Sequence, residues 1–153
     1  NIAIDTYTQL AGHKNIVEVK EASGNISYVA KLFERCGDQL DIYSGNDDMI
    51  VPVMSLGGAG VISVLSNILP RETHEITQFC LKGNFKSATA LQLKYLELIN
   101  ALFSEVNPIP IKEAMNLMGM NVGSCRMPLV RMSSENLTTL VACLQKHKLI
   151  PEL

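Results

Sequence analysis

Asn15-Ile16-Val17-Glu18-Val19-Lys20-Glu21-Ala22-Ser23-Gly24-Asn25-Ile26 is the stretch whose reading decides the fold. The β-branched run from Ile16 to Lys20 sits between polar residues and reads as a strand. Ile26-Ser27-Tyr28-Val29-Ala30-Lys31-Leu32-Phe33 then carries apolar residues at helical spacing, which predicts a helix over 26–36. Lys20 therefore falls at the C-terminal end of a strand, before a strand-to-helix loop. In parallel α/β folds, ligands and catalytic groups collect at that end. A lysine there is either a nucleophile or the first solvated residue after a strand, and the second is the commoner case.

The same pattern extends outward. Upstream, Asp5 to His13 reads as a short helix opened by Asp5, with Tyr7, Leu10 and Ala11 at helical spacing. Downstream, helix 26–36 places Ile26, Val29, Ala30 and Phe33 on one face and stops at Gly37, a good left-handed C-terminal residue. Leu40 to Ser44 is a second strand. A two-turn helix over 47–56 follows, with Asp47 and Asp48 as acids at its positive end. Pro52 is tolerable there only in or near the first turn. Gly57-Gly58 ends that helix, and Ala59 to Val64 is a third strand, apolar enough to be buried on both faces. The connections are too long for hairpins, so the strands are expected to be parallel with right-handed crossovers.

Beyond Val64 the pattern is helical. Pro70 opens a helix to about Leu81, closed by Gly83. Asn84 caps a longer one to Phe103, with Leu91, Leu96, Ile99, Leu102 and Phe103 inward. Asn107-Pro108-Ile109-Pro110 reads as a rigid extended turn, because each proline disfavours the α region for its predecessor. A short helix 111–119, an irregular stretch 120–132, and a last helix to about His147 complete the chain. Ser133 or Ser134 caps that last helix, and Leu137, Leu140, Val141 and Leu144 face inward. Three parallel strands do not close an eight-stranded barrel of ~250 residues. The expected fold is α/β: the last part of a (β/α)8 barrel over 1–83, strands six to eight, plus a C-terminal helical domain over 84–153. Exposed strand edges favour self-association.

Composition removes several function classes. The net charge is −2, with no basic excess to attract nucleic acid or anionic membranes. No apolar run approaches the ~18 residues of a transmembrane helix. Cys36, Cys80, Cys125 and Cys143 form no CxxC pair, and His13, His74 and His147 are scattered, so neither metal binding nor a disulfide framework is expected. Reduced thiols in a cytoplasmic protein are the expectation. The chain starts at Asn1 without a signal-peptide pattern, as a piece of a longer protein would.

Lys20 could form an imine with a ketone if its amine loses its proton, which desolvation or a nearby cation promotes. Alternation places Ile16, Glu18 and Lys20 on one strand face and Val17 and Val19 on the other. A carboxylate two residues below Lys20 works against deprotonation. Gly45 and Gly60 allow close approach of a ligand or a neighbouring strand, although turn and packing chemistry explains each taken singly. The Gly57-Gly58 pair ends a helix and so is no phosphate loop.

Four stretches in this order, Ile16-Val17-Glu18-Val19-Lys20-Glu21-Ala22-Ser23-Gly24-Asn25, Tyr43-Ser44-Gly45-Asn46-Asp47, Leu56-Gly57-Gly58-Ala59-Gly60-Val61-Ile62-Ser63-Val64 and Asn107-Pro108-Ile109-Pro110-Ile111-Lys112, resemble the dihydrodipicolinate synthase family. That pyruvate-dependent class I aldolase group also holds N-acetylneuraminate lyase and keto-deoxy-sugar-acid aldolases. The Lys-Glu-Ala-Ser-Gly-Asn form and the Asn-Pro-Ile-Pro turn look most like the synthase branch. The resemblance implies a lyase that condenses pyruvate with aspartate semialdehyde to 4-hydroxy-tetrahydrodipicolinate, on the route to diaminopimelate and lysine. It implies Lys20 as the Schiff-base lysine, Ile62 as the position whose backbone lies at the pyruvate carboxylate, and Gly45 as a glycine lining the pocket. It also implies no cofactor and no metal, a homo-oligomer with Ile26 and Leu56 near a second subunit contact, and a cytoplasmic location. Glu18 departs from the usual small or apolar residue. The family's proton-relay Thr and Tyr residues and its substrate-binding Arg belong to strands ahead of Asn1, so the chain by itself is expected to lack useful turnover. The competing readings are a sugar-acid aldolase or sialic-acid lyase, and a non-catalytic oligomerising fragment.

Overall fold

A computed structural model describes residues 2–152. In chain order the elements are α1 (Ile4–Ala11), β1 (Glu18–Glu21), α2 (Ile26–Cys36), β2 (Asp41–Ser44), α3 (Ile50–Ser55), β3 (Gly60–Val61), α4 (Pro70–Leu81), α5 (Phe85–Lys94), α6 (Leu96–Leu102), α7 (Ile109–Leu117) and α8 (Ser134–Lys146), with 3-10 turns at Asp47–Met49 and Leu65–Asn67. The three strands form one parallel sheet in the order β1-β2-β3. Lys20 pairs with Tyr43, and Tyr43 with Gly60.

Period-two alternation gives the sheet two unlike faces. Val19, Glu21, Ile42 and Ser44 point to the covered face, where Ile42 is 1% exposed. Tyr7 of α1, Val29, Leu32 and Cys36 of α2, and Val53 of α3 close over Ile42. Glu18, Lys20 and Asp41 lie on the other, open face, with Tyr43 half-buried among them. A second cluster joins α3, α4 and α5 through Ile50, Met54, Ile76, Cys80 and Ala88. The largest cluster packs α6, α7 and α8 around Leu98, Leu102, Ala114, Leu140 and Leu144, and it includes Val64, Leu65, Ile68 and Leu69 from the segment after β3. The core of the helical layer therefore begins well before residue 84.

Local chemistry sets several ends where the sequence places them. Pro70 is the first residue of α4, where its missing N–H costs nothing, and Gly83 closes the helix at φ +72°. The Asn84 and Ser133 side chains accept hydrogen bonds from Ser87 N and Asn136 N. Other expectations are corrected. Ala3, not Asp5, caps α1, and Asp5 lies in its first turn. Gly37 has φ −63°, so it is no left-handed cap; a Cβ there would stand 2.6 Å from Phe33 O, and close packing is what requires glycine. The buried stripe of α2 is Val29-Leu32-Cys36, while Ile26 and Ala30 are exposed, because α2 turns its stripe toward Ile42 and α1.

The helix expected from 85 to 103 is two helices broken at Tyr95, whose ψ is 4°. The Tyr95 ring is buried 4.9 Å from the His147 ring, and the break turns it into that core. Leu98 is fully buried, and Phe103 is half-exposed at the helix end. Asn107–Pro110 is not an extended turn. Pro108 caps α7 and Pro110 lies in its first turn, where burial of Ile109 and Ile111 outweighs the pre-proline preference. The third strand is two residues long rather than six. Ala59 N bonds to Ile42 O (2.9 Å) and Ile62 N to Ser44 O (2.8 Å), so β3 advances three residues while β2 advances two, which marks a bulge. Beyond it, Val64 and Leu65 donate their amides to a carboxylate instead of a ladder. Ile62 is accordingly 48% exposed.

Gln92 of α5 is 6% exposed and ties two layers together. Its Nε2 donates to Asp48 O (2.7 Å) and its Oε1 accepts from Val51 N (2.9 Å). Gln92→Ala leaves both backbone groups unpaired in a buried setting. It is expected to cost about 1–3 kcal/mol in urea unfolding, and a loss under half a kcal/mol would show that water replaces the side chain.

Candidate functional site

The loop after β1 is held by a relay of side-chain-to-backbone bonds. Glu21 is buried, and its Oε1 accepts from Ser23 N (2.8 Å). Ser23 Oγ accepts from Asn25 N (3.2 Å), and Asn25 Oδ1 accepts from Tyr28 N (3.1 Å), capping α2. Gly24 sits at φ +69°, a conformation most side chains avoid. Lys20-Glu21-Ala22-Ser23-Gly24-Asn25 is thus a rigid turn that delivers the lysine from a fixed strand end.

The end of β2 packs against it. Gly45 N donates to Glu21 O (2.6 Å), and Asn46 Nδ2 donates to Ala22 O (3.4 Å). A Cβ on Gly45 would stand 2.6 Å from Ala22 Cβ and 2.8 Å from Lys20 Cε. Glycine is required there by close approach, and the lysine stem leans from β1 across the end of β2. A Cβ on Gly60 would meet the Tyr43 ring at 3.3 Å, so that ring lies over β3. The structure therefore brings Lys20, Gly45 and Ile62 to the same end of three adjacent parallel strands. Tyr43, which stands opposite Lys20 in register, was not singled out by spacing.

Glu18 shares the open face with Lys20, as alternation predicts, and Asp41 stands beside Glu18 in register. Among the described residues the ion pairs are Arg35–Glu34 and Lys146–Glu97, so neither Glu18 nor Asp41 is paired with Lys20. Val17, expected on the covered face, precedes β1 and is 60% exposed. Asp47 is fully buried, unlike an ordinary helix-start acid such as the exposed Asp48. Its Oδ2 accepts from Val64 N (3.0 Å) and Leu65 N (2.9 Å). Burial pushes its pKa above the ordinary carboxylate value, against the opposing pull of the Ser63 side chain and of those amide bonds. No group of three His, Cys, Asp or Glu among the described residues is placed to hold a metal ion, and no described helix is long and apolar enough to cross a membrane.

A parallel sheet with helices on one face, a bulged third strand and a lysine at the shared C-terminal strand end are the parts of a (β/α)-barrel enzyme. Comparison with known proteins gives the family. Residues 1–147 match the model of the dihydrodipicolinate synthetase family, and the chain belongs to that family. It is 56% identical over 142 residues to the 4-hydroxy-tetrahydrodipicolinate synthase of Clostridium perfringens (strain SM101 / Type A), covering 93% of this chain and 49% of that protein. It is 58% identical over 136 residues to the enzyme of the same name from Caldicellulosiruptor saccharolyticus, covering 89% and 46%. The crystal structure of dihydrodipicolinate synthase from Aquifex aeolicus superposes with a TM-score of 0.93 at 37% identity, over 100% of this chain and 53% of that one. The chain spans about half the length of the curated relatives it matches. Its fold is accordingly part of a (β/α)8 barrel with attached helices.

Substitution at the two close glycines separates contact from conformation. Gly45→Ala forces backbone or Lys20 to move and is expected to cost about 1–3 kcal/mol. Gly60→Ala asks a tyrosine ring to shift a few tenths of an ångström and is expected to cost under about 1 kcal/mol. Urea unfolding of both variants checks the order, and equal losses would contradict it.

Proposed function

We propose that Lys20 is the Schiff-base lysine of a pyruvate-dependent lyase, and that the protein to which this chain belongs makes 4-hydroxy-tetrahydrodipicolinate from pyruvate and aspartate semialdehyde. The observation that carries this reading is the position of Lys20, at the C-terminal end of β1 with its stem drawn over Gly45 by close packing. The names of the relatives favour the synthase over a sugar-acid aldolase.

The chemistry follows from an amine held at a strand end. Lys20 Nζ, as free base, attacks C2 of pyruvate, and the carbinolamine loses water to give an imine. The protonated imine withdraws electrons from C3, so a methyl proton leaves to a base and an enamine forms. The enamine carbon attacks the aldehyde of the semialdehyde, and its amine closes on the former C2 and releases Lys20. No cofactor is needed, because the imine itself serves as the electron sink. Ile62 would lie by the carboxylate of bound pyruvate and Gly45 would line the pocket. Glu18 and Asp41 stand two residues before Lys20 and Tyr43 on the same open face. A homo-oligomer would cover the half-exposed Ile26 and Leu56. Four unpaired cysteines suit the reducing cytoplasm.

Reduction with borohydride in the presence of pyruvate tests the covalent step. Hydride adds to C2 of the imine and fixes an N-(1-carboxyethyl) group on the lysine. Intact mass and peptide mapping are expected to show one such group, on Lys20, absent from Lys20→Arg. A chain that gains no group, or gains it at other lysines alone, would sink the reading.

A further inference from the structure

We propose that His147 is an acid-sensitive latch: as a neutral ring it holds the end of α8 against the α5–α6 break, and on protonation it lets the chain beyond it come away from the helical layer.

The end of α8 is closed by a Schellman turn. Lys148 N donates to Gln145 O (2.8 Å), and Leu149 N donates to Leu144 O (2.9 Å). The left-handed position of that turn is commonly glycine, but here it is Lys148, at φ +56°. A residue with a Cβ is disfavoured in that conformation, so the backbone of the turn relies on the contacts around it. Leu149 and Ile150, which follow, pack against the core shared by α6, α7 and α8. His147 is the residue that joins the last turn of α8 to this hook.

The His147 ring lies 4.9 Å from the Tyr95 ring, tilted at 44°. Tyr95 is buried where α5 gives way to α6, so the contact ties the end of one helix to the break between two others. His147 is half-buried, and its Nε2 is sealed from solvent with no hydrogen-bond partner among the described residues. A neutral imidazole can leave that nitrogen as a bare lone pair. A protonated one places a charged N–H there, which loses its hydration and finds no acceptor. The nearby helix-end carbonyls are engaged: Cys143 O, Leu144 O and Gln145 O accept from His147 N, Leu149 N and Lys148 N.

The charges around the ring act in the same direction. Lys94 comes from α5, with its Nζ 4.9 Å from the centre of the Tyr95 ring. Lys146 and the Cys143 thiol come from α8, and the thiol donates to Glu97 O (3.9 Å). Glu97, on α6, is the carboxylate that acts on His147, and it is already paired with Lys146. Burial, then Lys146 and Lys94, hold the His147 pKa below the ordinary histidine value, against the pull of Glu97. Between the lowered folded value and the ordinary one, the unfolded chain binds more protons than the folded chain. The latch is therefore fully held above the ordinary histidine pKa of ~6.5 and is lost as pH falls below it.

Two measurements on the full 153-residue chain test this. Proton NMR of the imidazole is expected to show His147 titrating below the free-histidine midpoint of ~6.5. Amide exchange, corrected for the intrinsic effect of pH, is followed from about pH 7.5 to about pH 5. Protection at Lys148 and Leu149 is expected to fall by roughly tenfold or more relative to Met118, which closes α7 and lies outside the latch. His147→Phe keeps a ring against Tyr95 and cannot take up a proton, so protection at Lys148 and Leu149 should hold within about twofold across the same range. An equal fall in His147→Phe, or a fall at Met118 as large as at Leu149, would overturn the proposal. A His147 midpoint at or above the free value overturns it as well, and that result is read in the unsubstituted chain, whatever the variant does to folding.

Discussion

The carboxylate of Asp47, buried between the ends of β2 and β3, is the constraint on which most of this structure turns. A buried charge needs hydrogen bonds to offset its lost hydration, and two amides of the segment after β3 supply them. Those amides then cannot extend the sheet. The chain is diverted into a 3-10 turn, and Val64, Leu65, Ile68 and Leu69 enter the core shared with α6, α7 and α8. The same bond therefore stops a strand, starts a helical layer and joins the two. Gln92 repeats the device from the other side, reaching from α5 to Asp48 and Val51.

Lys20 depends on that frame at one remove. Its backbone is set by the pairing of β1 with β2, and its side chain by the absence of a Cβ at Gly45. The following loop gains its rigidity from Glu21, Ser23 and Asn25, each accepting from an amide two or three residues on. Such fixed placement lowers the entropic cost of bringing a carbonyl carbon to an amine. The residues that make the loop rigid are the ones whose order is so recognisable in the sequence, so the motif encodes geometry as much as reactivity.

What the sequence made legible was whatever short-range chemistry controls. Helix α4 runs from its proline toward its glycine, Asn84 and Ser133 cap as side chains of their type do, and a lysine after a β-branched run lies at a strand end. Parallel pairing followed from connection length. What stayed hidden depends on partners far along the chain. A six-residue apolar run became a two-residue strand because an aspartate 17 positions earlier captured its amides. The long helix broke at Tyr95 because its ring packs by His147, and α2 shows a different face because Ile42 lies under it. Asp47 looked like any acid at a helix start, and only its burial distinguishes it from Asp48. Glu18 fell on the face that alternation assigns, yet its lack of a pairing with Lys20 is a fact of side-chain placement that spacing does not carry.

The most direct measurement is a crystal structure of the chain after reduction in the presence of pyruvate. Continuous density from Lys20 Nζ to a three-carbon acid, with the Lys20 stem crossing Gly45, is the expected result. Density for the acid on another lysine, or an unmodified Lys20, would contradict it.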